Sequence, residues 1–137
     1  VALIQFASMT DHDSRRKQPE AESYSHHFRS FVDHFNRGEY RACVEPLEAI
    51  WFIERDDFHK GLIRLVVALH QMRLGLDSGP RFLLATARAL LRPYHPRHNG
   101  LDLVALDAFI ARQQARLDGA DDALPFFIRL EHAGDDS

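Results

Sequence analysis

Glu45 and Glu48 stand three residues apart in the stretch EPLEAIW. On a helix that spacing puts both carboxylates on one face. Arg64 and Gln71, seven apart in the next apolar stretch, align in the same way. If the two faces meet, a Glu/Arg/Gln cluster forms beside Trp51. Such a cluster supports a polar ligand pocket in which Arg64 clamps a carboxylate or phosphate through two donors. It also supports acid/base chemistry, with Glu45 and Glu48 as the general acid and base of a hydrolase-like or metal-dependent enzyme. The plainer reading is a buried ion pair that satisfies both acids and fixes helix register. In that case Arg64→Ala costs several kcal/mol, since breaking a buried pair costs about 3–5 kcal/mol.

A second constellation is basic. Arg81, Arg88 and Arg92 follow a helical stripe, with Lys60, Arg64, Arg73 and Arg97 nearby. A continuous positive face would bind phosphate backbones or another anion. Phe82 is the sole aromatic residue between Arg81 and Arg92, and helical periodicity assigns it to the core, so base stacking is not provided for. That argues against nucleic acid as a partner. The net charge of -3 hides strong segregation: residues 1–57 carry -4, 58–100 carry +6 and 101–137 carry -5. In an antiparallel bundle these thirds neutralise one another. Nine histidines invite a metal test, but no Glu-x-x-His occurs; the nearest match is Asp56-x-x-His59. Di-iron bundles need that motif on facing helices, so no metal and no cofactor are expected. Cys43, the one cysteine, reads as a small buried apolar residue.

These residues require helices to position them. Tyr24, Phe28, Phe31, Val32 and Phe35 form one amphipathic face, closed by Gly38. A second helix over about 39–53 turns Tyr40, Cys43, Val44, Leu47 and Trp51 one way. Pro46 imposes a kink or a late start. Asp56-Asp57 cap a third helix, 58–74, so apolar from Leu62 to Leu69 that it belongs at the centre of a bundle. After a break at 75–80, with Ser78 as a cap, a fourth helix runs to Leu91, burying Phe82, Leu83, Ala87 and Leu90. Asn99-Gly100 turns the chain into a fifth, 102–117, carrying Leu103, Leu106, Ile110 and Leu117. No alternating strand pattern of useful length occurs. The fold class is all-α, a compact antiparallel bundle of about five helices.

The runs FNRGEYRACVEPLEAIW (35–51) and FHKGLIRLVVALHQMRLG (58–75) resemble a family of small helical proteins, domain of unknown function 309. Phe35, Asn36, Gly38, Glu39, Tyr40, Glu45, Leu47, Glu48, Trp51, Gly61, Leu62, Ile63 and Leu65 carry the resemblance. Leu90, Pro93, Tyr94, Gly100, Leu101 and Asp102 extend it. The resemblance implies a helical bundle and no particular activity. It also implies a polar centre with a His-Glu pair, a second Glu, and a Gln and a His on the next long helix. Here Val44 stands in place of the paired His and Arg64 in place of the Gln. Gln71 lies near the usual His, and Leu76 near a usual Asn.

At 137 residues the chain suits one domain with a core of its own. Residues 1–23, polar over 10–23 and containing Pro19, read as a flexible arm. Met9 is an alternative start, and the opening VALIQFAS lacks the charged flank of a secretory signal. Residues 24–118 form the bundle, and 119–137 an extension whose apolar segment 124–130 must dock on the bundle or on a partner, a second copy included. No run approaches the roughly 20 apolar residues of a membrane span. With the single cysteine this points to a cytoplasmic protein. The functional expectation is a non-catalytic binding or interaction module for a protein or small-molecule partner, with a homodimer as one alternative.

Overall fold

A computed structural model describes residues 13–120 and 126–130, with side chains from Ser25 onward. Residues 1–12 of the expected arm, the Met9 start, and Leu124 and Pro125 of the apolar segment lie outside the described residues. Five helices follow in order: α1 (Asp13–Asn36), α2 (Val44–Glu54), α3 (Asp57–Arg73), α4 (Ser78–Leu91) and α5 (Leu103–Leu117). Short 3₁₀ turns, Arg41–Cys43 and Arg92–Tyr94, precede α2 and follow α4. Helical backbone begins at Asp13, ahead of Tyr24 where the apolar period starts. The intervening Arg, Lys, Glu and Ala favour helix without needing an apolar face.

Each helix end has an identifiable cause. Pro46 is the third residue of α2, where an amide would have no intrahelical acceptor, so the late start removes its cost. Asp56 caps α3 by accepting the His59 N–H at 3.2 Å, and Asp102 caps α5 by accepting that of Ala105 at 3.0 Å. Three helices close on glycine with paired turn bonds: Glu39 N–H to His34 O at 2.9 Å, Leu76 to Gln71 at 3.0 Å and Ala120 to Ala115 at 2.9 Å. Gly38, Gly75 and Gly119 supply the positive φ these turns require. Asp77, one residue before Ser78, precedes α4 and makes no cap bond.

α3 is the central helix and packs against both α2 and α4. It buries Phe58, His59, Gly61, Leu62, Leu65, Val66, Ala68 and Leu69. α1 contributes Phe28, Phe31, Val32 and Phe35; α5 contributes Leu103, Leu106, Phe109 and Ile110. On α4 the buried stripe is Pro80, Leu84, Ala87 and Leu91, whereas Phe82 is 62% exposed. The sequence allows two stripes there, because apolar residues occupy 82–84 and 89–91. Gly61 selects between them by admitting Leu91: a Cβ on Gly61 would lie 2.9 Å from Leu91 Cγ.

Between α4 and α5 lies a ladder that alternation had not signalled, β1 (Arg97–His98) against β2 (Leu101–Asp102). Asn99 and Gly100 both take positive φ, the tight-turn requirement of a two-residue hairpin. The described part of the last segment folds back on the bundle. Phe126 stacks on Phe109 at 5.1 Å, Ile128 is buried, and Phe127 faces outward. Asn36 holds this segment through both edges of its amide: its Nδ2 donates to Ile128 O at 2.9 Å and its Oδ1 accepts from Ile128 N–H at 2.6 Å. No described helix is long and apolar enough to cross a membrane.

Candidate functional site

Because Pro46, Leu47 and Ile50 turn α2 inward, Glu45 and Glu48 face out and are exposed. Both border a groove of about 710 Å³ shared with His26, His27, His34 and His70. Glu48 also borders a second groove of about 270 Å³ with Trp51, Phe52, Lys60, Ile63 and Arg64. Glu48, Trp51 and Arg64 therefore come together across α2 and α3, with Glu45 one turn away. Arg64 reaches the other way, donating to Thr86 Oγ1 of α4 at 3.4 Å. Among the described residues it forms no ion pair with Glu45 or Glu48. Gln71 is placed apart from them, beside Gly79 at the start of α4. Its Oε1 is buried with no hydrogen-bond partner among the described residues.

The arginine stripe meets acids of its own chain. Arg81 donates to Asp77 at 2.5 Å, to Asp118 at 2.6 Å and to the Leu117 carbonyl at 2.6 Å. Arg88 grips Asp107 with two donors, at 2.7 and 2.6 Å, and reaches Gln114 at 2.8 Å. The hydrogen bonds from Arg88 hold the Asp107 carboxyl below its ordinary range, with the charge of Arg92 adding to the effect. Arg81 and Arg88 of α4 are thus neutralised by Asp77, Asp118 and Asp107. A hollow of about 800 Å³ at the glycine-closed helix ends also contains Arg73 and Arg116. Arg73 donates to the Gly38 carbonyl and stacks over Tyr40, and Arg116 donates to Gln113.

A further pocket brings together residues that the sequence leaves separate. His59, 4% exposed, is the buried imidazole among the described residues. Its Nδ1–H donates to the Asp56 carboxylate, 2.8 and 3.0 Å from the two oxygens. Phe28 meets the ring edge-on at 5.9 Å and Phe58 at 4.9 Å. His98, from β1, lies against Phe58 at 4.5 Å and Tyr94 at 4.8 Å. Burial lowers the pKa of His98, with His59 adding to the shift and Asp56 opposing it. The Asp56-x-x-His59 spacing at a helix start was the available signal. A capping acid and a residue one turn into the helix meet by geometry. The approach of His98 depends on the hairpin.

Residues 28–83 match the family model of DUF309, a domain of unknown function. Over that segment the chain is similar to DUF309. No curated protein and no solved structure matches it. The DUF309 segment runs from the second half of α1 through α2 and α3 into the first turns of α4. Glu45, Glu48, Trp51, Arg64, Gln71, Arg81 and the Asp56–His59 pair lie inside it; Arg88, Arg92 and His98 lie beyond.

Within the DUF309 segment, Val44 is half-buried at the start of α2 and packs on the core. Cys43 is fully buried, its thiol directed at the carbonyls of Phe31 (3.6 Å) and Glu39 (3.5 Å). Burial, with Glu39 adding to it, pushes that thiol up to about 12, so it suits packing and not nucleophilic attack. Among the described residues no group of three or more His, Cys, Asp or Glu is arranged to hold a metal ion.

Proposed function

We propose that this protein is a non-catalytic interaction module. Its α2–α3 groove takes a partner segment that carries apolar side chains and a carboxylate. The observation behind this reading is the makeup of that groove. Phe52, 64% exposed, joins Trp51 and Ile63 as apolar walls, and Lys60 and Arg64 follow one another along the same edge of α3. Arg64 makes one long hydrogen bond, which leaves guanidinium donors available to a carboxylate. Apolar anchors flanked by charge are the features by which a groove takes up an amphipathic helix. Glu48 at the rim would repel an acid set in the wrong register.

The enzymatic alternative has less in its favour. A working carboxylate pair needs a setting from which water is excluded, and Glu45 and Glu48 stand in the open. An anion-binding role for Arg81, Arg88 and Arg92 competes with the aspartates that Arg81 and Arg88 already hold.

Trp51 is the single tryptophan of the chain, so its emission reports on groove occupancy directly. A synthetic amphipathic helix with leucines on one face and glutamates at the flanks should blue-shift and intensify that emission, less so at high salt. The same peptide with lysines for glutamates should not. Arg64→Glu should weaken the acidic peptide at least tenfold while leaving the circular dichroism unchanged. Equal titration of both peptides, or indifference to Arg64→Glu, would reject the reading.

A further inference from the structure

A buried imidazole with one nitrogen tied to a carboxylate has a defined tautomer. In the neutral imidazole the proton sits on Nδ1 of His59, because the Asp56 carboxylate can only accept, and Nε2 then carries a lone pair. Among the described residues that Nε2 has no hydrogen-bond partner, and His59 lines a cavity of about 450 Å³. That Nε2 is open to the cavity and not sealed in the core, so the cavity is suited to a molecule that supplies a donor. Phe28, Ile50 and Leu130 form its apolar wall, which fits a flat ring. Two charges stand at its rim, Arg29 and Glu54. Arg29 commits one nitrogen to Ser25 at 3.0 Å and keeps the remaining donors for an acid. Glu54 balances that cation and limits the guest to a single negative charge.

We propose that this cavity is a binding site for a small aromatic hydroxy acid. The hydroxyl donates to Nε2 of His59, the ring rests on Phe28, Ile50 and Leu130, and the carboxylate meets Arg29. The site is independent of the α2–α3 groove and lies on the opposite edge of α2.

The test uses 4-hydroxybenzoate as the probe, with benzoate and phenol as controls. Nitrogen-15 correlation spectra of the histidine rings follow the binding. The His59 ring signals should shift on titration with 4-hydroxybenzoate, and benzoate, which lacks the donor, should bind at least tenfold more weakly. Phenol, lacking the carboxylate, should also bind more weakly, as should 4-hydroxybenzoate to Arg29→Gln. His59→Phe is the decisive variant. Phenylalanine keeps the ring volume but offers the hydroxyl no acceptor. Binding of 4-hydroxybenzoate, measured by calorimetry, should fall at least tenfold while the melting curve shows the fold retained. Three results would each overturn the proposal: no His59 shift at about 10 mM probe, corresponding to less than about 3 kcal/mol of affinity; benzoate binding as well as 4-hydroxybenzoate; or undiminished binding by a folded His59→Phe.

Discussion

Gly61→Ala sets two effects of similar size against each other, and the structure decides between them. In a helix interior alanine is favoured over glycine by about 1 kcal/mol. Gly61 is buried where α3 crosses α4, and a Cβ there would sit 2.9 Å from Leu91 Cγ, 3.0 Å from Leu91 Cδ2 and 3.2 Å from Leu90 Cβ. Carbon pairs prefer about 3.5–4.0 Å. Leu91 is itself buried against the core, and Leu90 Cβ is fixed to the α4 backbone. Relief therefore requires α4 to move outward by about half an ångström or more. A gap of that order forfeits a quarter to a half of each dispersion contact along Leu84, Ala87 and Leu91. Overpacking of this kind costs about 1–3 kcal/mol. Because the row of contacts moves together, the upper part of that range applies, and the net expectation is a loss of about 1–2 kcal/mol. Urea unfolding followed by far-ultraviolet circular dichroism measures it as a lower midpoint at unchanged slope. Leu91→Ala alone should cost about 2–5 kcal/mol. In the Gly61→Ala background it should cost at least about 1 kcal/mol less, since the new methyl fills part of the vacated space. A Gly61→Ala protein as stable as the wild type would refute the claim that close approach at Gly61 positions α4.

Three further outcomes follow from contacts already described. Arg88 and Asp107 are 31% and 21% exposed, so their two-pronged pair should couple by about 1–2 kcal/mol in a double-mutant cycle, between exposed and buried pairs. Since Asp107 titrates below its unfolded value of about 3.9, that coupling is full at neutral pH and persists down to this value. It disappears as pH falls through the folded-state pKa; coupling undiminished at pH 2 would contradict the assignment. Cys43, with its thiol near 12, should be about one part in 10⁴ thiolate at pH 8. Alkylation should then require opening of the fold, so rapid labelling in native buffer would rule out its burial. Arg64→Ala should change stability by no more than about 0.5 kcal/mol, the usual surface range, because Arg64 holds only Thr86 at 3.4 Å. A loss above 2 kcal/mol would restore the buried ion pair.

The helices were legible where one apolar face dominates. Phe28, Phe31 and Phe35 admit a single register, and Asp56, Asp102, Gly38 and Pro46 mark ends by local stereochemistry that needs no tertiary information. α4 was ambiguous because apolar residues on either side of its axis allow two stripes. The choice rests on Gly61, a contact partner far away in sequence. The candidate cluster split for a related reason. Spacing places residues on a face of one helix but does not set how two helices are rotated, and here Arg64 turns toward Thr86 and Gln71 lies beside Gly79. Arg88 and Asp107 illustrate the reverse case. Their pairing was foreshadowed by charge segregation, although no local pattern identifies which aspartate answers which arginine. His98 reaches Phe58, near His59, through a turn of only two residues, a feature too short for any periodicity to reveal.

The clamp between Asn36 and Ile128 joins positions 92 residues apart. If it closed in an unfolded chain, the length-dependent entropy of ring closure would be about 4 kcal/mol. Once α5 is seated, the free path shortens to the stretch between Asp118 and Ile128, and the same entropy falls to about 2 kcal/mol. Closure after the helices have assembled is therefore favoured over early closure. In that order the contact is a latch set at the end of folding and released at the start of unfolding. Strengthening it would lengthen the lifetime of the native state while leaving the rate of its formation almost untouched.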